Sequence, residues 1–193
     1  MHRSLAAAIS ALAAAFVLAG AAAAATPPAS GKVDASAPVA SGSQHLRNAR
    51  LTDAECPNGL AIRYVVIHDT EYGYDPTIAL FQNPLAYVSS HYVLRSADGQ
   101  VIQMVPTQDV AWHAGNWWVN SHAIGIENEG FATEGNTWYT PRLYRSLARL
   151  TRYLADRNGI PLDREHLIGH DQVPGPTAAY QPGMHWDPGP YFD

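Results

Sequence analysis

From Thr140 to Asn158 the chain reads TPRLYRSLARLTRYLADRN, and Leu143, Leu147, Leu150 and Leu154 recur at the spacing of one helix face. Arg142, Arg145, Arg149 and Arg152 occupy the other faces, and a solvated surface accounts for them better than an anionic partner. Thr140 can cap the helix, Pro141 suits its first turn, and Gly159 ends it. A helix with a single apolar stripe needs a second layer to cover that stripe. The remaining apolar segments are short and rich in β-branched residues, so the layer is a sheet.

Arg63–His68 (RYVVIH) and Ala123–Glu127 (AIGIE) read as short buried strands. His91–Arg95 and Gln100–Val105, joined through Asp98-Gly99, read as a hairpin. Asp75 to Phe81 reads as a short helix capped by Asp75, with Pro76 in its first turn. Strands interspersed with helices give an α/β domain: one central mixed β-sheet flanked by helices. The length of 193 residues, 47% hydrophobic, suits one domain with its own core.

The first 25 residues have a short basic start, an apolar run and an exit of small residues, the pattern of a cleaved secretory signal peptide. The run is mostly alanine, so a membrane span persisting after processing is not expected. Residues 26–55, rich in Ala, Ser, Gly and Pro at their start, read as a flexible leader, and the domain proper as 56–193. The formal charge, 12 − 17 = −5, gives no reason to expect nucleic acid as a partner. Cys56 is the only cysteine, which excludes an internal disulfide and any multi-cysteine zinc site.

Three stretches concentrate reactive side chains. His68 closes an apolar strand, where α/β proteins commonly build sites, although one such histidine is more often structural. In AIGIENEG, alternation puts Ile124, Ile126 and Asn128 on one side and Ala123, Gly125, Glu127 and Glu129 on the other. An acid at the end of a buried strand is paired, protonated or functional. Glu127 is therefore a candidate general base, with a salt bridge to an arginine as the rival account. The third stretch, GHDQVPGPTAAYQPGMHWDPGP, Gly169 to Pro190, holds His170, Asp171, His185 and Asp187 among five prolines and four glycines. Those residues cannot form a regular helix or central strand. Two histidines and an aspartate with an open fourth position suit a hydrolytic zinc. Spacing alone does not choose His170 over His185, or Asp187 over Asp171.

VVIHDT, SSHYVL followed by DGQVIQMVP, AWHAGNWW, HAIGIENEG, IGH and DPGPYFD stand in this order between Arg63 and Asp193. In this the chain resembles the zinc-dependent N-acetylmuramoyl-L-alanine amidases, a family that includes phage lysozyme-type amidases and peptidoglycan recognition proteins. The resemblance implies one zinc ion per chain held by His68, His170 and Asp187, with Glu127 as general base. It also implies substrate contacts from Trp112 and His113, with Asn116 in the same aromatic and polar loop. Many bacterial members carry lysine two residues before the aspartate ligand, where this chain has His185. That residue is expected to steady the oxyanion or protonate the leaving amine, with a pH dependence that lysine would lack.

The expected activity is hydrolysis of the amide between N-acetylmuramic acid and L-alanine in peptidoglycan or its fragments, by an exported monomer. Rival readings are a non-catalytic peptidoglycan-binding protein of the same fold and a zinc peptidase cutting within the stem peptide. Asp69 and Asp171 are expected as exposed loop residues, with orientation of the adjacent imidazoles as the alternative. His91 and His122 are expected to be structural, and His166 to lie on the surface.

Overall fold

The computed structural model describes residues 45–46, 61–83, 85–174 and 185–192. In chain order the elements are β1 (His45–Leu46), β2 (Tyr64–Asp69), α1 (Tyr74–Gln82), β3 (Tyr92–Leu94), β4 (Val101–Gln103) and β5 (Val110–Ala111). These are followed by α2 (Trp117–His122), β6 (Ala123–Asn128), α3 (Gly135–Trp138), α4 (Pro141–Asn158) and β7 (Leu167–Gly169). The main sheet has the order β4-β3-β6-β2-β7, with β4 antiparallel and the other neighbours parallel. This is the mixed sheet flanked by helices that the sequence implies. The expected leader, 1–25, and the boundary near residue 55 lie outside the described residues. Within the span read as a linker, His45 and Leu46 pair antiparallel with Ala111 and Val110. Among the described residues no helix is long and apolar enough to cross a membrane.

Strand alternation divides the sheet into two differently used faces. Val65, Ile67, Ile124, Ile126 and Leu94 pack with Leu143, Leu147, Leu150 and Leu154 of α4. Each of those buried leucines contributes about 1.5–3 kcal/mol of apolar burial. On the other face, Val93 and Ile102 meet Tyr74 and Phe81 of α1, while Val66 and Ala123 meet Ala114 and Val119. The exposed arginines Arg142, Arg145, Arg149 and Arg152 lie on the solvent side of α4.

The ends of α4 follow local chemistry. Thr140 Oγ1 accepts from the Leu143 amide at 3.2 Å, and Gly159, at φ 68°, donates its amide to the Ala155 carbonyl. Gly99 closes the β3–β4 hairpin at φ 74°, and a Cβ there would lie 2.6 Å from the Arg142 carbonyl oxygen. Only glycine permits both that backbone conformation and that approach to α4.

The start of α1 departs from expectation. Gly73, not Asp75, is the N-cap, and it offers no side-chain cap. The Tyr74 amide instead donates to Glu129 Oε1 at 2.9 Å, and Glu129 Oε2 accepts from Ser96 N at 2.7 Å. An acid just after β6 thus takes over the capping work, leaving Asp75 exposed within the first turn.

Candidate active site

The parallel register between β2 and β6 sets His68 opposite Glu127 and Asp69 opposite Asn128. Matched residues of paired strands share a face, so His68 and Glu127 project together on the side away from α4. β7 flanks β2 on its other edge and ends at Gly169, which brings His170 to the same end of the sheet. Residues 185–189 then cross this end without belonging to a strand.

The carboxylate of Asp187 meets both imidazoles. His170 Nδ1 lies 2.9 and 3.1 Å from the two Asp187 oxygens, and His68 Nδ1 lies 3.3 Å from Oδ2. One ligand atom from each of the three residues falls within a common 4.8 Å. Burial, reinforced by neighbouring His170, pushes the His68 imidazole down to about 4. Desolvation alone would raise Asp187, but the hydrogen bonds to His170 and His68 win and hold its carboxyl well below the usual range. A neutral imidazole beside an ionised carboxylate is the protonation state that a divalent cation requires. The donor set of two nitrogens and one oxygen fits zinc with an open position.

Glu127 is 7% exposed, and among the described residues it forms no ion pair with an arginine. The arginines of α4 lie beyond the opposite layer, so the salt-bridge account does not hold. Burial first, then the nearby carboxyls of Asp187 and Asp69, push the Glu127 carboxyl well above its ordinary range. A cation between the two histidines would oppose that shift and favour the ionised form.

His113 touches His68 directly, Nδ1 to Nε2 at 3.0 Å. Its ring lies over Gly125, where a Cβ would stand 2.5 Å from His113 Cγ, so the glycine of IGIE makes room for this imidazole. Asn120 Oδ1 accepts from both the His113 and Ala114 amides, at 3.1 and 2.8 Å, and holds the loop against the site. Trp112 and His113 line a groove of about 480 Å³ with Tyr87, Val88, Gly115, Trp117 and Asn120. Another hollow, of about 590 Å³, lies on the α4 side against β7 and includes none of these histidines. Neither hollow is lined by His68, Glu127, His170 or Asp187; the smaller one reaches their neighbour His113.

Asn116 is not part of that groove lining. Its Oδ1 caps α2 by accepting from Val119 N, and its Nδ2 donates to the Pro174 carbonyl at 2.7 Å, tying this loop to the segment after His170. His185 is half-buried and stacks on His170, ring centroids 3.7 Å apart at 20°. Burial, and then proximity to His170, lower its pKa.

The other expectations divide. Gly125 N donates to His91 Nδ1 at 3.0 Å, which leaves His91 Nε2 to donate to the Asp109 carbonyl. His122 Nδ1 bonds the Trp118 carbonyl at 2.7 Å, so both histidines are structural. His166 pairs with Asp163 at the surface, and Asp171 is exposed. Asp69 is not an exposed loop residue. It is 5% exposed, closes β2 on the α4 side, and its Oδ2 lies 2.6 Å from the Tyr139 hydroxyl. Burial raises its carboxyl to about 7. No motif quoted above contains Tyr139 or Asn120, whereas Gly125 stands inside HAIGIENEG. That glycine inside a strand was the one visible signal.

The sequence profile of the Amidase_2 family, N-acetylmuramoyl-L-alanine amidase, matches residues 58–190. N-acetylmuramoyl-L-alanine amidase A of Achromobacter lyticus is 34% identical over 145 residues, covering 67% of this chain and 80% of that protein. The 1,6-anhydro-N-acetylmuramyl-L-alanine amidase AmpD of Escherichia coli is 32% identical over 160 residues, 73% of this chain and 80% of its own length. The structure of Escherichia coli AmiD with anhydro-N-acetylmuramic acid-L-Ala-D-gamma-Glu-L-Lys superposes with a TM-score of 0.53 at 27% identity. That match covers 68% of this chain and 54% of AmiD, so the chain spans about half of that structure. AmpDH3 of Pseudomonas aeruginosa, with a TM-score of 0.55 and 21% identity over 67% of this chain and 56% of its own, shares the fold. By sequence and by architecture, the chain belongs to the N-acetylmuramoyl-L-alanine amidase family and is a peptidoglycan amidase.

Proposed function

We propose that the protein is an exported, zinc-dependent amidase that hydrolyses the amide joining N-acetylmuramic acid to L-alanine, in peptidoglycan or in fragments released from it. The observation that carries this reading is the meeting of His68 and His170 nitrogens with the Asp187 carboxylate in one buried cluster. Export is supported by the basic start, apolar run and small-residue exit of residues 1–25.

In this reading His68 and His170 hold zinc through ring nitrogens, and Asp187 through a carboxylate oxygen. When bound, zinc supplies a Lewis acid and lowers the pKa of water. Glu127, opposite His68 across the β2–β6 ladder, takes the proton of the attacking water. The amide bond then breaks, and Glu127 or His185 delivers a proton to the departing L-alanine amine. His185, stacked on His170, would also steady the charge that develops on the carbonyl oxygen. The groove beside Trp112 and His113 would receive sugar or peptide against aromatic faces. The two carboxyls here are shifted in opposite directions, Glu127 up and Asp187 down, which separates a metal-holding carboxylate from a proton-carrying one.

The test is a digest of sacculi and defined muropeptides, with and without a 1,6-anhydro end, read by mass spectrometry. Free stem peptides beginning at L-alanine beside intact glycan are expected. Shortened peptides still attached to muramic acid would contradict the bond assignment, and full activity after exhaustive chelation would contradict zinc.

A further inference from the structure

The segment that carries Asp187 has no ladder to hold it, yet its carboxylate meets two imidazoles fixed on β2 and just after β7. Two tethers do this work. The Asp171 amide donates to the Asp187 carbonyl at 2.9 Å, linking the residue after His170 to Asp187 itself. The second tether is the hydroxyl of Tyr139, which lies 2.6 Å from the Pro188 carbonyl and 2.6 Å from Asp69 Oδ2. Pro188 follows Asp187 and Asp69 follows His68, so one hydroxyl joins the neighbours of two cluster residues. Because Asp69 and His68 project to opposite faces of β2, the phenol sits behind the cluster, bonded to Asp69 and Pro188 rather than to any of its three side chains.

Packing alone does not require this hydroxyl. The Tyr139 ring lies edge-on to Phe192 and Tyr144, with centroids 5.1 and 6.3 Å away. A phenylalanine would meet the same neighbours without the cost of burying a polar group. Gly135 also keeps clear the space this ring needs, since a Cβ there would stand 2.9 Å from Tyr139 Cδ2.

We propose that Tyr139 is a positioning residue: its hydroxyl ties the end of β2 to the 187–189 segment and so sets the spacing of Asp187 from His68. The proposal rests on reading His68, His170 and Asp187 as the zinc set. Tyr139 reaches neither metal nor substrate, and its effect passes through the backbone on either side of those residues.

Zinc affinity, measured by competition with a chromophoric chelator, tests this in Tyr139→Phe, in Asp69→Ala and in the double variant, beside wild type and Asp187→Ala. Each single variant should bind zinc on the order of tenfold more weakly. The double variant should bind no more weakly than the poorer single one, because both break the same tether. The d–d absorption of the cobalt(II)-loaded Tyr139→Phe protein should shift as well. Wild-type zinc affinity in both single variants, or losses that add in the double, would overturn the positioning role while leaving the zinc set intact. Failure of wild type to bind zinc, or undiminished binding by Asp187→Ala, would overturn the zinc reading and this proposal with it. Should Tyr139→Phe not fold, Asp69→Ala keeps the aromatic packing and decides alone: wild-type zinc affinity there overturns the tether.

Discussion

The site has a half borne on strands and a half borne on a loop, and the two are held by different physics. His68 and Glu127 sit at matched positions of two parallel strands, so the backbone ladder fixes their spacing before any side chain acts. His185 and Asp187 lie on a stretch without a ladder, placed by single contacts: an amide on a carbonyl, a phenol, an imidazole stacked on His170. The strand half is rigid because many cooperative bonds would have to break together. The loop half is exact only while each of a few tethers holds, which makes it the half where single substitutions act most sharply.

Removing Asp187 should break the contrast at its most sensitive point. Asp187→Ala is expected to lose zinc and to fall to background turnover together, measured by metal content and muropeptide release. Glu127→Gln strikes the strand half instead: zinc should remain bound while turnover falls by about 10²–10⁴. Near-full activity with zinc bound in that variant would reassign the base. Glu127 also marks a pH effect on stability. Its carboxyl is raised by burial, so the stability it contributes is full below the ordinary carboxylate range and is lost as pH rises toward its folded value. Metal-free wild type should therefore lose stability relative to metal-free Glu127→Gln as pH rises, read by chemical denaturation of the two proteins side by side.

Leu150→Ala tests whether the strand half depends on the layer behind it. Leu150 is 1% exposed in the cluster against Val65, Ile67 and Ile126, so its truncation should cost about 2–5 kcal/mol in urea unfolding. Turnover per folded molecule should change little, because the β2–β6 register survives. The smallest effect is expected at His185. Its pKa is lowered, so its protonated fraction, and any step that needs it, declines as pH rises through a value below 6.5. His185→Lys should extend activity to higher pH, and an unchanged pH–rate profile would remove His185 from the chemistry.

The parts of the fold that were legible in the sequence are those governed by nearby residues. The α4 helix, its leucine face, the Thr140 cap and the Gly159 stop are all local, and the structure has them within the expected bounds. The alternation of β6 likewise separated Ile124 and Ile126 from Glu127 without tertiary information. Readings failed where a distant group intervened. Asp75 looked like a cap until Glu129, more than fifty residues later, supplied the acceptor. Asp69 looked like a solvated loop residue, but β2 runs one residue further and turns it toward Tyr139. Asn116 is a different case: its side chain caps α2 and reaches the Pro174 carbonyl, and its expected substrate contact stays a proposal.

The sequence by itself determined the residue types and the periods: a one-sided helix, short buried strands, and a proline-rich stretch unable to join either. It also carried the ordered motifs that mark the family. Only the tertiary structure decided which members of GHDQVPGPTAAYQPGMHWDPGP converge, because spacing along an irregular chain does not encode distance in space. It brings His170 and Asp187 onto His68, stacks His185 beside them and leaves Asp171 in solvent. It also decided the charge states, which depend on burial: the same carboxyl chemistry is pushed up at Glu127 and down at Asp187 by what surrounds each.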